Sequence, residues 1–315
     1  SSMAISETAY SQTTGKASPL ILRHAICIFF VLTFVFSWIL YLVIYLMHIE
    51  QQTVLSRWCL IAAFGPSLSA MAVSRLADPR RVDRPVFYWP VFVLFIVLAA
   101  GVEVLDHYVF AHVITAQLII ADGILVVLAA IILSGVVSPN SGIRGLMSGL
   151  KRWDVGIWWY IFALCAWPAT VLLSNLLSPL LGMANSSNPS YPAFPIGLVV
   201  AESFLWYLMF GGPMNEEAGW RAFALTRMQE RFSPLTASVI IGALWGLWHL
   251  PLHLMGFYPF GPAGALIRIF SIPLAVVFTW LFNRTGGSLI PVLFLHSSRN
   301  TTSLFLSRNF IVSEL

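Results

Sequence analysis

Charge is scarce in this chain. Asp, Glu, Lys and Arg make up 10% of its 315 residues, where a soluble domain carries about a quarter. Lysine is nearly absent: Lys16 and Lys151 are the only two among seventeen basic residues. No Lys/Arg-rich tract exists, so the net charge of +4 gives no footing for nucleic acid. Cys27, Cys59 and Cys165 lie in apolar segments without metal-type spacing or an even disulfide framework. A β-barrel is excluded too, because it needs alternating strands of roughly ten residues. A His-Glu-x-x-His zinc motif is missing. The first apolar run is too long for a cleavable signal, and no small-residue cleavage site follows it.

What remains is hydrophobic residue in quantity, 58% of the chain. It falls into nine runs at 25–47, 54–76, 87–110, 113–137, 155–178, 194–212, 234–254, 264–283 and 288–307, several of them near the ~20 residues that span a bilayer as a helix. The expected fold is all-α, a polytopic transmembrane helix bundle of eight to nine spans. Eight results if 194–212 continues past Gly211-Gly212-Pro213 as a kinked or re-entrant helix to about Arg231. The expected organisation is a cytoplasmic tail at 1–24, N-terminal transmembrane helices at 25–180 and a core at 194–307. Loops 1–24, 77–86, 138–154, 213–233 and 284–287 hold most of the Lys and Arg, while those near 48–53, 179–193 and 255–263 hold none. By the positive-inside rule the N-terminus is cytoplasmic and Glu216 lies toward the cytoplasmic face. Glu103 and Asp106 are read as part of the outer turn after the third span. Fifteen Arg against two Lys lean toward a bacterial inner membrane.

Ionisable residues inside such segments point to function by default, and three polar motifs collect in the last third. In Glu216-Glu217-x-x-x-Arg221, Glu217 and Arg221 form an i,i+4 pair in the favourable order. Glu216 points about 100° away; as a free carboxylate it suits a general base for water. Taken alone, this stretch equally suits a loop of solvated charges. In the second motif, Trp245-x-x-x-His249, residues Gly242, Gly246, His249 and His253 share one helical face. The Gly-x-x-x-Gly spacing lets a neighbour approach closely, and Pro251 bends the helix near His249. His253 reads as a packing or interfacial histidine. In the third, His296 and Asn300 stack at i,i+4, where two donors suit an oxyanion or a polar interhelix contact. Asp122 and Asn175 read as interhelical partners, and Glu202 as a structural or access residue.

The order of the three motifs, each on its own membrane segment, resembles the CPBP family (CAAX proteases and bacteriocin-processing enzymes, also called Abi), over about 195–307. The family's members are multi-helix intramembrane endopeptidases. The resemblance implies a hydrolase acting on a peptide or protein substrate in the lipid bilayer, with Glu216 activating water, Glu217 and Arg221 as its partners, His249 assisting, and His296 with Asn300 completing the site. Two positions depart from the family pattern: Trp245 stands where Phe is usual, and Ala222 where Gly is common. The favoured glutamate route needs no cofactor. The family is also described as metalloproteases, and a zinc version would use Glu216, His249 and His296 as ligands with one position open. Two non-enzymatic readings stand beside these: a catalytically silent scaffold or immunity protein, and, ranked last, a transporter. Substrate identity and oligomeric state are not legible.

Overall fold

Apolar runs fold as helices in lipid because no water is present to satisfy a bare N–H or C=O. The computed structural model describes residues 19–81, 87–181, 194–258, 264 and 268–306. Among them it contains helices, turns and one isolated bridge between Arg81 and Asn140. The helices are α1 (Pro19–Leu46), α2 (Gln52–Ala63), α3 (Gly65–Ala77), α4 (Tyr88–Phe110), α5 (Ala116–Ser134), α6 (Ser141–Leu146), α7 (Ile157–Leu177) and α8 (Ile196–Phe210). They continue as α9 (Pro213–Glu217), α10 (Thr226–Met228), α11 (Pro234–Trp248), α12 (Leu250–Leu254), α13 (Ser271–Arg284) and α14 (Ile290–Leu306).

Among the described residues, seven stretches are long and apolar enough to cross a membrane, with α2–α3 and α8–α10 each counted as one. The last two expected segments appear as α13 and α14, shorter at 14 and 17 described residues. The all-α bundle is therefore as expected, and its span count roughly so. Most of the expected tail, residues 1–18, lies outside the described residues; α1 begins at Pro19 and bends at His24 (φ −114°, ψ 15°).

Burial sorts the helices into centre and rim. The α2–α3 span is 72% buried, whereas those of α4 and α7 are 11% buried. Leu94, Val97, Leu98, Leu172 and Leu176 are exposed on these rim helices, the surface a helix presents to hydrocarbon. Inside, α14 runs along α7 and α8, α11 packs on α13, and α1 packs on α3. The Gly-x-x-x-Gly face makes the α11–α13 contact close. A Cβ on Gly242 would stand 2.6 Å from Ile272 Cα, and one on Gly246 would stand 2.8 Å from the Arg268 carbonyl oxygen.

Glu103 and Asp106 are not in an outer turn. Both lie within α4 and are buried, at 4% and 5% exposure. The reason is Arg57 of α2, whose guanidinium bonds Asp106 directly and lies 3.6 Å from Glu103 Oε2 and 3.1 Å from Asp122 Oδ1. Asp122 also meets His107 Nε2 at 2.8 Å, joining α5 to α4.

Candidate active site

The site starts from a backbone break. Gly212 adopts φ 127°, ψ −57°, where an L side chain is strained. Pro213 then opens α9 at a position that needs no N–H donor. From Ala218 to Leu225 the chain winds as a π-helix, a form that recurs at functional sites and that the sequence pattern did not announce. This winding places Trp220 so that its Nε1–H donates to Glu216 Oε2 at 3.3 Å. The Trp245 indole donates to the same oxygen at 2.6 Å. Glu216 is 5% exposed. At Trp245, where the family pattern has Phe, this chain has gained a hydrogen-bond donor to the carboxylate.

Glu217 faces a different set of partners. Its Oε2 lies 3.3 Å from Arg221 Nη1, and its Oε1 accepts from His296 Nδ1 at 2.7 Å. One carboxylate thus ties the first motif to the third. Arg221 is fully buried, with its guanidinium carbon 5.1 Å from the Trp245 ring centroid and 4.7 Å from that of Phe278. These π faces supplement the carboxylate as stabilising contacts for the cation.

His249 sits between α11 and α12, as the last residue before Leu250 and Pro251 start a new helix. Its Nδ1–H donates to the Trp245 carbonyl at 2.7 Å, so Nε2 is the nitrogen left for chemistry. Trp248 stacks edge-on against it at 4.8 Å. His253, by contrast, is 1% exposed and accepts from Arg268 Nε at 2.9 Å. It is a buried partner of Arg268.

Glu216, His249, His296 and Asn300 line one cavity of about 420 Å³, within the ~300–1,000 Å³ usual for small-ligand sites. Glu217 and Arg221 stand behind that wall. A Cβ placed on Gly212 would lie 2.9 Å from His296 Nε2 and 3.2 Å from Glu216 Oε1. Both atoms therefore flank the same bare glycine. Asn300 is committed in part: its Nδ2–H donates to the Gly211 carbonyl at 2.7 Å, and its Oδ1 accepts from Arg299 Nη1 at 2.8 Å. It pins the Gly-Gly turn and keeps one amide hydrogen for another acceptor. Tyr207, Tyr258 and Arg268 also line the cavity. None of them belongs to a motif, and no local spacing marks them.

The zinc alternative asks whether Glu216, His249 and His296 converge as ligands. Zinc bonds of about 2.0–2.2 Å require the donor atoms to crowd together. Among the described residues, the group of His, Cys, Asp and Glu whose ligand atoms lie within 4.8 Å of one another is Glu103, His107 and Asp122. The motif residues do not form such a group. As arranged, they do not fit a three-ligand zinc centre, and no step is routed through a metal.

Comparison with known proteins bears on the same stretch. Residues 200–302 match the family model described as Type II CAAX prenyl endopeptidase Rce1-like. A curated relative, CAAX prenyl protease 2 of Methanococcus maripaludis, is 29% identical over 138 residues. That alignment covers 41% of this chain and 49% of the relative, so the match spans about half the relative's length. The resemblance that the three motifs carry is borne out there: over residues 200–302 this integral membrane chain is similar to the CAAX prenyl endopeptidases.

Proposed function

We propose that the chain is an intramembrane endopeptidase of the glutamate-activated type. The observation that carries this reading is the shared flank of Gly212: the Glu216 carboxylate and His296 Nε2 meet at one point of a cavity that His249 and Asn300 also line. Glu216 takes a proton from a water held in the cavity. The water oxygen bonds to the scissile carbonyl carbon, and the carbonyl π pair moves to oxygen as an oxyanion. A doubly protonated His296, held through Nδ1 by Glu217, donates from Nε2 to that oxyanion, with the remaining Asn300 amide hydrogen beside it. Glu216 then passes its proton to the leaving nitrogen as the C–N bond breaks. His249 Nε2 orients the water.

The relative's name speaks of a CAAX prenyl protease. A peptide with a prenylated C-terminal Cys-a-a-X sequence is therefore the first substrate to test. A leader peptide ending in Gly-Gly and a membrane-protein segment are the next. The Lys/Arg asymmetry supports a cytoplasm-facing site in a plasma membrane, checked by cysteine labelling at the exposed residues Arg231, Phe232 and Ser233 from either side. The deciding experiment is Glu216→Gln in the full chain, with cleavage read by mass spectrometry of the released peptide. The expected result is a fall of about 10²–10⁴-fold, the usual contribution of a general base, with folding unchanged. Undiminished cleavage by a folded variant overturns the assignment. Loss of a partner complex by the same variant, without any proteolysis in wild type, favours the scaffold.

A further inference from the structure

A second group of ionisable side chains lies outside the cleavage site. Glu103 and His107 stand one turn apart on α4, and Asp122 faces them from α5. One ligand atom from each lies within 4.8 Å of the other two. The two carboxylates are buried, and His107 is half-buried. We propose that Glu103, His107 and Asp122 form a divalent-cation site that joins α4 to α5, with zinc or a similar first-row ion as its ligand.

Two observations beyond proximity carry this. The first is an orphaned donor atom. Glu103 is 4% exposed. Its Oε2 accepts from the Trp206 indole at 3.3 Å, while its Oε1 is buried without a hydrogen-bond partner among the described residues. A buried carboxylate oxygen left bare is unfavourable, and a cation is the partner that two carboxylates and an imidazole select. The second is charge. Glu103, Asp106 and Asp122 surround one guanidinium, that of Arg57. With neutral imidazoles, the form that binds metal, this leaves two negative charges within lipid-embedded helices. One divalent ion balances them. The rival balance is protonation within the cluster, where His112 lies 3.0 Å from Asp106. Arg57, Asp106 and His112 also line a cavity of about 270 Å³.

The proposal is independent of the cleavage reading, and its test keeps the two apart. The full chain, purified in detergent, is equilibrated with zinc ion, freed of unbound metal and analysed for elemental content. Expected is one zinc per chain in wild type and in Glu216→Gln. Glu103→Gln and His107→Gln should each lose affinity by at least the ~10–100-fold seen when a metal site loses even an outer partner. His107 is the more exposed of the two, so if Glu103→Gln fails to fold, His107→Gln decides. Absence of stoichiometric zinc in wild type overturns the proposal in favour of protonation within the cluster. So does wild-type affinity in His107→Gln, and so does zinc lost in Glu216→Gln.

Discussion

Two buried charge clusters share this bundle and have much the same inventory. One sets Glu216 and Glu217 against Arg221, with His249 and His296. The other sets Glu103, Asp106 and Asp122 against Arg57, with His107 and His112. They differ in what the second carboxylate is left to do. In the first, Glu217 pairs with Arg221 and bonds His296, while Glu216 is held by two indole N–H donors and turned to the cavity. In the second, Arg57 reaches all three carboxylates. Similar groups can thus be arranged to leave one base available, or to cross-link helices.

The largest effect should come from removing each cluster's arginine. Breaking a buried ion pair by deleting one partner costs about 3–5 kcal/mol, because an uncompensated charge remains. Arg57→Met should lower unfolding stability by that order, yet leave cleavage per folded molecule near wild type. Adding Asp106→Asn should return part of the stability. Arg221→Met should lower both stability and cleavage, because Glu217 then loses the cation that fixes it beneath His296. Thermal unfolding in detergent, paired with single-turnover cleavage, reads the two quantities separately. Equal loss of activity from both variants would erase the contrast between the clusters.

Gly212→Ala should come next. The substitution combines a strained backbone, ~1–3 kcal/mol, with a methyl group 2.9 Å from His296 Nε2. Cleavage should fall about 10–100-fold while secondary structure is retained, since the bend precedes α9 and does not interrupt it. Circular dichroism with the cleavage assay checks this; full activity would mean that neither Glu216 nor His296 needs the bare glycine.

The contrast also explains what the sequence made legible. Each cleavage motif concentrates its polar residues at i,i+4 on one apolar segment, so a single helix already displays a face. Length and hydropathy gave the helices for the same local reason. The Arg57 cluster brings Arg57 of α2 and Asp122 of α5 against Glu103, Asp106 and His107 of α4, and helix pairing is not written in local spacing. Glu103 and Asp106 therefore read as an outer turn until Arg57 was seen against them. The π-helix is not legible for another reason: it packs on α3, about 150 residues earlier in the chain, and such long-range packing leaves no local spacing to read. The link between Glu217 and His296 crosses 79 residues, so Arg221 alone could be assigned to Glu217 from spacing.

The smallest expected effect concerns the motif position where the chain departs from the pattern it resembles in a way that adds a contact. Trp245→Phe keeps an aromatic ring against Arg221 and His296 but removes the indole N–H that reaches Glu216 Oε2 at 2.6 Å. A hydrogen bond to a charged group is worth about 1.5–3 kcal/mol. The Trp220 donor remains on the same oxygen at 3.3 Å, so the lower end applies, about a tenfold loss in turnover. The loss should appear in kcat and not in KM, because the bond acts on the base rather than on the substrate. Trp220→Phe, which removes the longer bond, should lose less. A Trp245→Phe enzyme with unchanged kcat and raised KM would make the indole part of the substrate pocket, and leave Trp220 as the indole donor that positions Glu216.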